Sequence, residues 1–164
     1  MLDKNLTNKL NIILGKRFKK NLLTLEKLKT IEKTYNIIFP KEYKDFLLIY
    51  GDRFVKDNYL YIPIKKSPVT GLDGYDMADY FIGNDIEENI KWKYDIFKNN
   101  IFPIAEAPGG NLICMGSNNE YVGKIYFWWH ENEIDDDPDN IGATLFLIAN
   151  SFRDFILSFE YHEW

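Results

Sequence analysis

Residues 101–133 read IFPIAEAPGGNLICMGSNNEYVGKIYFWWHENE, three apolar runs separated by two turn signals. The runs at 101–105 and 111–115 flank Ala107, Pro108, Gly109 and Gly110, the punctuation of a hairpin. SNNE at 117–120 marks a second turn, after which residues 122–130 predict a third strand. Because side chains alternate along a strand, Ile125, Phe127 and Trp129 fall on one face of it, and Tyr126, Trp128 and His130 on the other. Both faces are apolar. Two readings fit: a central strand covered on both sides, or an aromatic platform open to a partner on one side.

Helical periodicity lies mainly upstream of this stretch. Asp3 is placed to cap a first helix with Leu6, Leu10 and Ile13 on one face, ending near Gly15. Thr24 opens a second, striped by Leu25, Leu28, Ile31 and Tyr35 and ending before Pro40, whose ring disfavours helix at Phe39. A third starts at Pro40, carries Tyr43, Phe46, Leu47 and Tyr50 at helical spacing, and stops at Gly51. YLYIPI at 59–64 and residues 80–82 predict strands, and Asn84 or Asp85 caps a helix bearing Ile86, Ile90, Tyr94 and Phe97. A further strand is expected at 144–148. Ser151 and Asp154 then form a capping-box pair for a last helix with Phe152, Phe155, Ile156 and Phe159. Helices first, strands in the middle and a closing helix predict an α+β single domain, an antiparallel sheet with helices packed on one face. No repeat or linker divides the 164 residues, a length at which roughly 70% of the unfolded chain's surface is buried on folding.

Charge is unevenly distributed. Residues 1–50 hold 11 Lys or Arg against 5 Asp or Glu, a balance of +6, whereas residues 51–164 hold 9 against 20, a balance of −11. An acidic body repels phosphate and attracts a basic protein. The one cysteine, Cys114, lies in an apolar run and cannot form an intrachain disulfide, which fits a buried thiol in a reducing compartment. No export signal is recognisable at the start, and the longest uncharged apolar run, ATLFLIA at 143–149, is far short of the ~20 residues of a membrane span. A cytoplasmic protein is expected.

The catalytic readings are thin. His130-Glu131 opens like a zinc-protease motif, but Ile134 stands where the second His belongs. A Cys114–His130 nucleophile pair competes with a plain core thiol. Gly109-Gly110 lacks the ending of a phosphate loop, and no Gly-x-Ser-x-Gly elbow occurs. Six carboxylates, Glu131, Glu133, Asp135, Asp136, Asp137 and Asp139, crowd into nine residues. Read as a calcium loop from Asp135, the segment has Asn140 at the glycine position and Phe146 at the closing carboxylate position. A solvated loop and a docking surface for a basic partner remain, with a metal-dependent hydrolase as the alternative from another class. The basic run Lys16, Arg17, Lys19 and Lys20 around Phe18 reads either as a solvated helix end or as a contact for nucleic acid, and the larger acidic excess argues against the second.

Two separated blocks resemble the SUKH superfamily, which groups the fungal Smi and Knr regulators with bacterial immunity proteins against toxins. The first block matches at Phe39, Pro40, Tyr43, Phe46 and Leu47; the second at Ile104, Ala105, Gly109, Gly110, Asn111 and Gly123 through Trp128, continuing into His130 and Glu131. Tyr50, Gly51 and Asp52 depart from the Asn-Gly-Gly that many members carry there. The resemblance implies the same α+β architecture over residues 1–164, with 1–23 as an amino-terminal helix and basic segment and 24–164 as the family-like core. It implies a non-enzymatic protein without cofactor or bound metal whose partner is a cognate toxin, or a regulatory scaffold of the Smi/Knr type. Structural roles are expected for Pro40, Tyr43, Phe46, Leu47, Gly109, Gly110 and Gly123. The expected partner face is Trp128, His130, Glu131 and the carboxylates at 133, 135, 136, 137 and 139.

Overall fold

The computed structural model describes residues 1–131, 141 and 144–163. Three helices come first, with one strand among them: α1 (Lys4–Ile13), β1 (Leu14–Arg17), α2 (Leu25–Tyr35) and α3 (Lys41–Ile49). Next come β2 (Arg53–Val55), β3 (Tyr59–Leu60), β4 (Tyr80–Phe81) and α4 (Ile86–Phe97). The meander β5 (Ile101–Glu106), β6 (Leu112–Gly116) and β7 (Ile125–Trp128) follows, then β8 (Leu145–Ala149), α5 (Phe152–Leu157) and β9 (Glu160–Tyr161).

Three of the four expected caps act where the sequence places them; the fourth does not, since Asp85 precedes α4 without a side-chain cap bond and Asn84 Oδ1 accepts from the Leu22 amide instead. Asp3 accepts from the Leu6 amide at 2.9 Å, Thr24 from Lys27 at 3.2 Å and Ser151 from Asp154 at 3.0 Å. Each satisfies an amide that has no partner within its helix. The α2 helix ends on Asn36 in the left-handed region, and Pro40 precedes the first turn of α3 as its cap residue.

The sheet has seven antiparallel strands in the order β1-β2-β4-β5-β6-β7-β8. Pro103 sits in a central strand despite lacking an amide proton, and the β5–β6 register shifts between Pro103 and Ala105, the irregularity that tolerates it. On one face Phe102, Ile104, Ile113, Met115, Ile125 and Phe127 meet the buried sides of α1, α2, α3 and α5, forming the main core. A smaller apolar layer on the other face gathers Ile101, Leu112, Cys114, Tyr126 and Trp128 under Phe97 at the end of α4.

Three elements have no counterpart in the sequence reading. The basic run expected as a helix end begins in β1, paired with β2 at the sheet's edge, and β9 pairs with β3 in a separate two-stranded ribbon. Only Tyr59–Leu60 of the strand expected at 59–64 is regular. Beyond Pro63 the backbone instead runs along β8, where Ile64 and Lys65 donate to the Ile148 and Leu147 carbonyls at 3.0 and 2.8 Å.

Candidate functional site

The first sequence block builds the centre of the helical layer. Tyr43, Phe46 and Leu47 are fully buried on α3. The Tyr43 ring lies 5.8 Å from Phe39, 5.9 Å from Phe102 and 5.4 Å from Phe152, while Phe46 packs on Phe81 at 5.0 Å. These are edge-on and tilted arrangements that tie α3 to the sheet and to α5. Pro40 fixes the entry into α3.

The unusual Tyr50-Gly51-Asp52 turn makes a joint that sequence reasoning missed. Gly51 adopts φ +66°, and the buried Asp52 carboxylate accepts from the amides of Gly83 and Asn84 at 2.9 and 3.0 Å. It thereby couples the end of α3 to the start of α4. A buried acceptor with two amide donors is a satisfied group, so Asp52 is a structural anchor.

The second block converges at the end of the meander. Gly109 and Gly110 both turn with φ +81°, and the His130 imidazole lies against them, with its Nε2 donating to the Gly109 carbonyl. A Cβ on Gly110 would sit 3.0 Å from His130 Nε2. Asn111 is buried and accepts from the His130 amide at 3.1 Å while donating to the Pro108 carbonyl at 3.0 Å. Gly123 turns with φ +74° ahead of β7. Gly109, Gly110 and His130 therefore form one local joint, while Gly123 turns the chain at the opposite end of β7, its amide donating to the Gly116 carbonyl at 3.0 Å.

Trp128 is 2% exposed, packed edge-on to Phe97 at 5.5 Å, with the Lys93 ammonium 4.4 Å above its ring. The β7 strand is covered on both faces, which decides for the central-strand reading. Trp128 is a wall of the fold and not an open platform. Glu131 is exposed beside His130. Glu133, Asp135, Asp136, Asp137 and Asp139 lie outside the described residues.

Cys114 is buried, and burial pushes its thiol far above its ordinary range, the opposite of the lowered value that activates a nucleophilic cysteine. Its possible base, His130, is engaged with the Gly109 carbonyl.

The same Pro108–Gly110 turn borders a cleft that no sequence motif announced. Leu60 and Phe127 line it from the core side, Pro108 from the turn, and Val69, Leu72 and Met77 from the loop before β4. Its volume is about 580 Å³, within the usual range of ligand and anchor sites. Asp73 and Asp76 also line it. Asp76 is buried, accepts from the Thr70 hydroxyl at 3.0 Å, and is held above the ordinary carboxylate range by that burial.

The profile of the SMI1/KNR4 family (SUKH-1) matches residues 22–158, which span both sequence blocks and the cleft. The chain belongs to the SMI1/KNR4 family. A Bacillus subtilis strain 168 protein described as an SPbeta prophage-derived uncharacterized protein, YokK, is similar to it: 37% identical over 150 residues, covering 82% of this chain and 73% of that protein. In this SMI1/KNR4 protein the Phe39–Leu47 block and the β6 and β7 strands thus build the core, and the Pro108–Gly110 turn shapes the surface beside the cleft. Among the described residues no helix is long and apolar enough to cross a membrane.

Proposed function

We propose that this protein is an immunity protein that binds a cognate toxin and blocks its active site or its access to substrate, without chemistry of its own. It acts in the cytoplasm on a partner with a basic surface, a nuclease being the class that best matches. Membership of the SMI1/KNR4 family and likeness to a prophage-derived protein support the reading. The observation that carries it is the charge map: 20 Asp or Glu against 9 Lys or Arg over residues 51–164. A toxin that acts on nucleic acid presents cationic surface to phosphate, and an acidic protein competes for that surface while steering the encounter. The carboxylates of 131–139, with half-buried His130 and exposed Glu131 just past β7, are the proposed contact region.

Depleting the protein in its own cells tests this. Growth should arrest, and suppressors that restore it should map to inactivation of one toxin gene. An arrest relieved instead by restoring a cell-wall or signalling function would point to a regulatory scaffold and overturn the immunity reading.

A further inference from the structure

The cleft beside the Pro108 turn is walled by apolar groups, and the charged groups that line it among the described residues are two carboxylates, Asp73 and Asp76. Lys65 and Lys66 belong to the same loop but do not line it. Its mouth carries apolar side chains left in water. Leu72 is fully exposed, and Val69 and Met77 are 47% and 38% exposed. Single exposed apolar residues are ordinary, but several around one concavity with a polar edge mark an interaction site.

The loop that carries these groups is held in place before anything binds. The Asp73 carboxylate accepts from the Tyr75 amide at 3.1 Å, Gly71 donates to the Tyr75 carbonyl at 3.0 Å, and Asp76 exchanges backbone hydrogen bonds with Tyr61 at 2.9 and 3.0 Å. The Ser67 amide donates to Thr70 Oγ1 at 2.8 Å, and Thr70 in turn donates to Asp76. A loop fixed in this way loses little conformational entropy on binding.

We propose that this cleft seats an apolar side chain of the protein partner, one flanked in the partner's sequence by Lys or Arg. The apolar group fills the space between Leu60, Phe127 and Leu72, and the neighbouring cations lie against Asp73 and the Asp76 edge. The inference rests on the immunity reading for its partner, a basic protein, and names the place and chemistry of one contact. Anionic and purely polar segments are disfavoured there, because they meet carboxylates and leave apolar surface uncovered.

The test uses the whole protein labelled with 15N and two short synthetic peptides, acetyl-Arg-Leu-Arg-amide and acetyl-Glu-Leu-Glu-amide. The basic peptide should shift amides of residues 69–77 saturably, and the acidic one should bind about tenfold more weakly or not at all. Asp73→Asn keeps the acceptor for Tyr75 and should weaken the basic peptide about threefold. Leu72→Ser, at a fully exposed position, should abolish most of the response without unfolding the chain. Equal response to both peptides, shifts confined to other surfaces, or no shift would overturn the cleft as this site. Shifts at 69–77 that grow with protein concentration alone would assign it to a second copy and equally overturn it. These outcomes are independent of the depletion experiment: a toxin-linked growth arrest with no peptide response retains the immunity reading and removes the cleft, whereas a peptide response without toxin linkage does the reverse.

Discussion

At the scale of single residues, the matched motif positions divide into packing and backbone roles. Tyr43 is buried, its hydroxyl has no hydrogen-bond partner among the described residues, and burial holds that hydroxyl well above its ordinary range. An unsatisfied buried hydroxyl costs about 1–3 kcal/mol. Tyr43→Phe is therefore expected to raise the midpoint of urea unfolding, while Tyr43→Ala should cost about 3–5 kcal/mol. Gly110 serves the backbone: its φ of +81° strains any other residue, and an added Cβ presses on His130. Gly110→Ala should lower stability by about 1–3 kcal/mol in the same measurement. Asp76 gives a pH signature. Its folded-state pKa is raised, so folding favours its neutral form, and its contribution is most favourable at low pH and is lost as pH rises through the folded value. Asp76→Asn, which keeps an oxygen for Thr70, should therefore be more stable than the parent at pH 7, with the advantage shrinking as pH falls below the raised value. Urea titrations at a series of pH values check the sign.

Elements were legible to the degree that their signals are local. Caps at Asp3, Thr24 and Ser151 are read from one side chain and an amide three residues on, and all three appear in the structure. The meander announced itself through Pro-Gly-Gly and through strands long enough to show a pattern. By contrast β1, β2 and β9 have four, three and two residues, too few for a period-two signature, and exist because a neighbour pairs with them. The amphipathic stripe that marked α4 did not reveal that its end caps the second face of the sheet, since that depends on where β6 and β7 lie. The same reasoning resolves β7. Ile125, Tyr126, Phe127 and Trp128 are all buried, so Trp128→Ala should cost about 3–5 kcal/mol and broaden or abolish the cooperative unfolding transition. A Trp128→Ala protein with parent stability would contradict the two-sided packing described here.

For the whole molecule, the useful sequence signals were the charge imbalance and the two separated family blocks. Neither disclosed the cleft, because Leu60, Leu72, Pro108 and Phe127 come together only through the path of the 61–79 segment past the hairpin turn. Nor did they show Asp52 bridging α3 and α4. Long-range electrostatics is additive over the molecule, so its prediction belongs at this scale. Reversing Asp135, Asp136 and Asp137 to Lys should slow association with a basic toxin by about tenfold at low salt and flatten its salt dependence. Stopped-flow association rates at several ionic strengths would check this. The most direct test of the central claim is affinity purification of the tagged protein from its own cells at moderate salt, with mass spectrometry and an activity assay of any stoichiometric partner. A toxin domain whose activity is silent in the complex and returns on dissociation is the predicted result. A stoichiometric partner that has no toxic activity, alone or in the complex, would contradict it.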